Sequence, residues 1–470
     1  MSGPLRRIIE FTFPPPSRPS SQPQPQSLPR IKALPSRLEI VEVPEAERRL
    51  AQVASRHTLF GPSTRKPSKA PRTAFQTSPA MTLSLEASVE ALLDQSLPWA
   101  QTRVRIPSVS GTPATRDVID AARRLLGESA VCTTRLAAES CGAPVLVAHA
   151  GSTDPAAPSM LLSGHIDVVP PAGMENPWSG DVKDGRLLGR GSTDMKGGAA
   201  AALAAFAAAS RQPLRGSLWL MLSTDEETNV NGVRTALEEP DAPKADIALI
   251  AEPTELEIHD AHRGDAWVKV EFTGRSAHSS RPHLGVNAIE AAALFIVRAR
   301  KRLPEMMLEG PAKGPQTCSI DLVRGGAAEN VVAEHCEVII DFRYQGEESG
   351  PLQEARILRV IEECRADPDF PKLEVKTTIT GDWPALVSSV GTPTGSKIVR
   401  ALEGALGRPI EVTPMSGWGE GGYFNAFGIP AFYFGPGEGR LAHTPQESCP
   451  ADSIPVAAKA IYAAVMSHLA

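Results

Sequence analysis

Leu161 and Leu162 open a short apolar run that stops at Gly164-His165-Ile166-Asp167-Val168-Val169-Pro170. Such a run reads as a buried strand. Residues i and i+2 of a strand point to the same side, so His165 and Asp167 lie together at its end. A metal-bound histidine commonly hands its second N–H to a carboxylate, which fixes the tautomer and the ring orientation. Asp194 follows at the tip of the glycine-flanked turn Gly189–Gly198, GRGSTDMKGG. The alanine-rich segment Gly198–Ala209 then reads as a helix. An acid presented between a strand and a helix is well placed to hold a cation.

The same arrangement recurs along the chain. Ser217–Leu222 is an apolar strand that ends in Ser223-Thr224-Asp225-Glu226-Glu227, and Ile247–Ile250 ends in Ala251-Glu252-Pro253. Pro144–His149 reads as another strand, and Leu83–Arg105 and Thr115–Gly127 as amphipathic helices. Strands alternating with helices argue for an α/β sheet, whose sites lie where its strands end. The pattern changes near Arg263. Ala266–Phe272, Cys318–Val323, Cys336–Phe342 and Leu373–Ile379 alternate like half-exposed strands, with helices at Asn287–Arg302 and Leu352–Ala366. This β-α-β-β-α-β order is that of a ferredoxin-like unit. The expected architecture is α/β: a catalytic domain with a mixed sheet flanked by helices, residues 81–262 and 380–470, interrupted by an inserted ferredoxin-like domain at 263–379.

A chain of 470 residues exceeds one ordinary core, consistent with two domains. The net charge of -6 gives no reason to expect nucleic acid as a partner. The first 80 residues differ from the rest: 13 Lys/Arg against 5 Asp/Glu give +8, which leaves -14 for the remainder. They also hold 14 of the 43 prolines, a composition that cannot bury enough apolar surface to offset ordering entropy. They read as a disordered tail, with Met81 as a candidate working start and an organelle transit peptide as the alternative. No apolar run reaches the roughly 18 residues of a membrane span, and no secretory h-region is present. The six cysteines form no CxxC pair and read as thiols of a reducing, cytoplasmic setting. Neither GxSxG nor HExxH occurs, and the GPGEG at Gly435–Gly439 lacks the context of a dinucleotide fingerprint.

His165, Asp194, Glu227, Glu252 and His443 are the candidate ligands. Two imidazoles and three carboxylates suit zinc, with cobalt or manganese as alternatives. Five ligands exceed the needs of one tetrahedral ion, and a carboxylate shared by two metals about 3.5–4 Å apart accounts for the number. Glu226 and Glu227 are adjacent, so their side chains diverge. One can bind metal while the other, as general base, faces the water that the metal activates. The competing reading of this Asp-Glu-Glu run is an acidic loop at a helix N-cap.

At these residues the chain resembles the co-catalytic metallopeptidase family of acetylornithine deacetylase, succinyl-diaminopimelate desuccinylase, aminoacylase and glutamate carboxypeptidase. The resemblance covers about residues 83–470 and rests on GHIDVVP, GRGSTDMKGG, TDEE, AEPT, GRSAHSSRPHLGVNAI, GGAAENVV and AHTPQE. It implies a zinc-dependent amidohydrolase, with a catalytic domain and a lid used for homodimerisation. By the same resemblance Asp194 bridges two divalent metal ions, His165 and Glu252 complete one site, and Glu227 and His443 the other. Glu226 becomes the base and Asp167 the acid that orients His165. His278, in SAHSS, resembles a lid histidine that reaches a neighbouring subunit and stabilises an oxyanion. Asn330 and Arg343 resemble residues that hold a substrate carboxylate, Arg343 bidentately; for Arg343 the plain alternative is a cation on a strand face. The loop Gly417-Trp418-Gly419-Glu420-Gly421-Gly422 departs from the common family pattern. In the family this loop lines the substrate pocket, so Gly419 and Glu420 are candidate substrate contacts.

The expected reaction is hydrolysis of the amide of a small N-acyl-L-amino acid, in the manner of acetylornithine deacetylase. Alternatives are an N-succinyl-diaminopimelate desuccinylase, a glutamate carboxypeptidase-like enzyme on dipeptide-like substrates, and a catalytically silent scaffold that binds such a metabolite.

Overall fold

The structure is a computed structural model and describes residues 88–308, 316–346 and 348–470. The tail expected over residues 1–80 lies outside the described residues. In chain order the strands are β1 (Thr133–Ala137), β2 (Val145–Gly151), β3 (Ser159–His165), β4 (Val182–Lys183), β5 (Arg186–Leu188), β6 (Ser217–Ser223), β7 (Ile247–Ile250), β8 (Ile258–His259), β9 (Gly264–Thr273), β10 (Thr317–Gly325), β11 (His335–Tyr344), β12 (Glu374–Trp383), β13 (Val412–Thr413), β14 (Ala431–Tyr433) and β15 (Ser448–Pro450). The helices used below are α1 (Ser96–Val104), α2 (Ala114–Ser129), α3 (Lys196–Ser210), α4 (Asn231–Glu238), α5 (Ala288–Leu308), α6 (Gly350–Arg365), α7 (Pro393–Leu406), α8 (Gly421–Ala426) and α9 (Ser453–Leu469).

The expected α/β fold, a mixed sheet flanked by helices, is the one observed. Eight strands form the main sheet in the order β1-β2-β6-β3-β7-β14-β8-β13. Its centre, β6-β3-β7-β14, is parallel, while β2 runs antiparallel to both β1 and β6. β3 and β7 are buried at every residue, as parallel strands covered on both faces must be. Alternate residues therefore serve two cores. Leu162, Leu220 and Leu249 pack under α1, α2, α3, α7 and α9, whereas Leu161, Met221 and Ala248 pack under α4 and α8. The alanine-rich α3 is buried at every position, which is the fate of a helix that is apolar all round.

Residues 264–383 build a second, four-stranded antiparallel sheet, β10-β11-β9-β12. Its strands alternate: Val268, Val270, Val338 and Ile340 pack with Phe295, Ile357 and Val360 of α5 and α6. Two elements run well past the C-terminal ends of their sequence patterns. β12 continues past Ile379 to Trp383 through a register shift between Ile379 and Gly381, which breaks the alternation. α5 continues past Arg302 to Leu308 with Pro304 inside it. A third sheet, β15-β5-β4, joins a late segment of the chain to the turn that precedes α3. No described helix is long and apolar enough to cross a membrane.

Candidate metal centre

The parallel pairing of β3 with β6 and β7 brings three strand ends to one edge of the sheet. His165 is the last residue of β3, Glu226 and Glu227 follow β6, and Glu252 follows β7. Asp194 arrives from the turn before α3, and its peptide bond to Met195 is cis. His443 arrives from the segment before β15, at a left-handed φ of 62°. Two groups of donors result. His165, Asp194 and Glu252 offer ligand atoms within 4.8 Å of one another, and so do Asp194, Glu227 and His443. Asp194 belongs to both groups. Its Oδ1 lies 3.1 Å from His165 Nε2, and its Oδ2 lies 3.2 Å from His443 Nε2. Glu227 Oε2 lies 2.9 Å from His443 Nε2, and Glu252 Oε1 lies 3.9 Å from His165 Nε2.

Adjacent side chains do diverge at Glu226 and Glu227. Glu227 faces His443, while Glu226 Oε2 stands 4.0 Å from His165 Nε2. Asp167 is fully buried beneath them. Its backbone oxygen lies 3.1 Å from His165 Nδ1 and its Oδ1 lies 3.4 Å away, so both oxygens face the far side of the ring. The Asp167 carboxylate also accepts the backbone N–H groups of Glu226 and Glu227 at 3.3 and 3.2 Å. Ser110 donates to the same carboxylate at 2.5 Å. Asp167 thus shapes the turn that carries both glutamates.

Burial and neighbouring charges act together on the cluster. Burial pushes Glu226 well above the ordinary carboxylate range and Glu252 up to about 8. Burial opposes a charge on His165, yet hydrogen bonds to Asp167 and Asp194 and the nearby glutamates hold it well above its usual value. Hydrogen bonds to Asp194 and Glu227 raise His443 to about 10. Asp194 is half-buried, and the two histidines on its oxygens hold it below the carboxylate range against the opposing effect of desolvation.

Of the remaining candidates, Glu420 borders the cluster, near enough for its charge to act on Glu226 and Glu252. Glu420 is fully buried at the start of α8, and burial pushes it up to about 8. Gly419 is buried beside the Tyr433 hydroxyl, which accepts the N–H of Gly421 at 2.9 Å. His278 and Asn330 are exposed and adjacent on the second sheet's rim, where Ser279 N–H donates to the Asn330 carbonyl at 3.0 Å. His278 Nδ1 lies 2.9 Å from the Ser280 hydroxyl. Arg343 is held bidentately by Asp341 at 2.8 and 2.9 Å and by Asp265 at 2.7 Å. On β11 it is thus already engaged by two carboxylates. To take a substrate carboxylate it must exchange one of these partners. Sequence reasoning missed Ser110, Arg190 and Glu447. The last sits at the end of AHTPQE, and Arg190 sits within GRGSTDMKGG, so both motifs contained the signal.

The pattern of Peptidase family M20/M25/M40 matches residues 161–467. An acetylornithine deacetylase of Myxococcus xanthus is 30% identical over 335 residues, 69% of this chain and 83% of that protein. A succinyl-diaminopimelate desuccinylase of Corynebacterium glutamicum is 32% identical over 301 residues, 63% of this chain and 77% of the other. Among solved structures, a dinuclear metal-binding peptidase of the M20 family from Bacillus subtilis shares the fold: TM-score 0.57, 16% identity, 80% of this chain and 99% of that one. The family match spans more than half of the chain, and the chain accordingly belongs to Peptidase family M20/M25/M40, as a hydrolytic enzyme acting on amides.

Proposed function

We propose that this enzyme hydrolyses the amide bond of a small N-acyl-L-amino acid, with two divalent cations held by His165, Asp194, Glu227, Glu252 and His443. The observation that carries the reading is the pair of donor groups that share Asp194. Imidazole nitrogens and carboxylate oxygens in that number suit zinc, with cobalt and manganese as alternatives. The Bacillus subtilis fold relative is described as dinuclear, which supports two ions. His165 and Glu252 hold one ion, Glu227 and His443 the other, and Asp194 both. Bound there, such ions polarise an amide carbonyl and acidify water enough to furnish a nucleophile near neutral pH.

The chain's own groups do the rest. Glu226 accepts the proton of the attacking water on its carboxylate and delivers it to the nitrogen of the departing amine. Asp167 fixes the His165 ring and the Glu226–Glu227 turn. Residues 263–379 act as an inserted ferredoxin-like lid, a reading that the β-α-β-β-α-β order supports. The lid forms a homodimer and lends His278 to the partner's site, where it steadies the developing oxyanion. Asn330 and Arg343 hold the substrate carboxylate, and the Gly419–Glu420 loop contacts the rest of the substrate. The similarity to an acetylornithine deacetylase supports an acetylated amino acid, and the similar identity to a desuccinylase supports a succinylated one as second reading.

The test is a hydrolysis screen of the zinc-loaded protein over N-acetyl, N-formyl and N-succinyl amino acids and dipeptides. Fastest turnover of an N-acetyl amino acid is expected. Preference for N-succinyl-diaminopimelate would favour the second reading, and no turnover of any of them would overturn both.

A further inference from the structure

We propose that Glu447 is a positioning residue of this centre, acting by locking the turn that presents Asp194 to the segment that presents His443. The proposal rests on the two-cation reading above. Glu447 is only 3% exposed. Its Oε1 accepts three backbone N–H groups of one turn: Gly191 at 2.9 Å, Thr193 at 3.1 Å and Asp194 at 3.1 Å. Its Oε2 pairs with the guanidinium of Arg190, which is 1% exposed and also reaches the Pro171 carbonyl at 3.4 Å. Gly191 sits at a φ of 84°, and a Cβ there would press on Val168 Cγ1 and Lys196 Cδ. The turn can reach this conformation only with glycine.

One carboxylate therefore fixes the backbone on which Asp194 stands. Without it, three buried N–H groups and a buried guanidinium lose their acceptor, which is costly to leave unmade. The same residue anchors the other end. Glu447 N–H donates to the Thr444 carbonyl at 3.3 Å, closing the turn next to His443. A second tie runs parallel to it, from Glu438 N–H to Thr193 Oγ1 at 2.9 Å. His165, by contrast, ends β3 and Glu252 follows β7, strands whose pairing does not involve Glu447. The two donor groups thus depend on Glu447 unequally. Loss of the clamp disturbs Asp194 alone in the His165 group, but both Asp194 and His443 in the other.

The experiment titrates metal-free protein with Zn²⁺ against a chromogenic chelator, resolving the two equivalents. Glu447→Ala should weaken one equivalent by about 10–100-fold, the scale for partners that orient ligands, and the other by less than about 3-fold. Glu447→Gln keeps an oxygen for the three N–H groups and should restore most of the loss. If Glu447→Ala does not fold, Glu447→Asp, which withdraws the carboxylate by one methylene, carries the same comparison. Equal weakening of both equivalents, or none in a folded variant, overturns the proposal. A wild-type protein that fails to bind two equivalents would instead overturn the two-cation reading itself.

Discussion

Glu226 is the residue on which the proposed chemistry turns. Glu226→Gln keeps the shape but cannot take a proton at neutral pH, so kcat should fall by roughly 10²–10⁴-fold. Zinc content, measured by elemental analysis, should stay at the wild-type level, because Glu227 and not Glu226 faces His443. Loss of zinc in this variant would assign Glu226 to the ligands. Asp194→Ala should lose metal as well as activity, since Asp194 lies in both donor groups. At this scale the sequence was informative where a motif ends a strand: His165, Glu226, Glu227 and Glu252 all follow apolar runs. It was silent on Ser110, and the motif AHTPQE held Glu447 without revealing its contacts; their partners lie 57 and 256 residues away. No local spacing reports such a contact. The pairing of Arg343 with Asp341, two residues away on β11, follows strand alternation, whereas that with Asp265 was invisible because it depends on the register of β9 against β11.

At the level of elements, the tightest junction is that between α3 and the end of β7. Gly198 lies against the Ala251 carbonyl, and a Cβ there would overlap that oxygen. Gly198→Ala should cost about 1–3 kcal/mol or more, the range for overpacking, read as a lower midpoint in urea unfolding. Ala251 precedes Glu252, so zinc affinity should fall in the same variant; unchanged stability and affinity would show that the junction yields. β3, β6 and β7 were legible because strands covered on both faces are continuous apolar runs. β4, β5, β8, β13, β14 and β15 span two or three residues each. Too short to show a period, they declare themselves only through their partners. β1 escaped too, because Thr133–Ala137 is half-exposed and holds a single buried residue.

For the whole molecule, ligation and assembly are the measurable quantities. Chelator-treated protein should unfold at a lower temperature than the zinc-loaded form, because an ion bound only by the native state stabilises it by mass action, about 4 kcal/mol at a thousandfold excess over Kd. Equal Tm values would argue against ions held by the native fold. If His278 completes a partner's site, mixing His278→Ala with Glu226→Gln should restore activity, since hybrid dimers contain one site with both wild-type residues. Demonstrated subunit exchange without recovery would confine His278 to its own chain. One further consequence concerns the order in which the enzyme is made. β15 pairs with β5, residues 448–450 with 186–188, across the entire intervening chain. Domains form as the nascent chain emerges, the earliest segments first, so β3, β6 and β7 can gather long before this pairing exists. His443 and Glu447 arrive long after those strands. If His443 and Glu447 act as proposed, a ribosome-bound chain carries an unfinished centre until residue 450 has emerged.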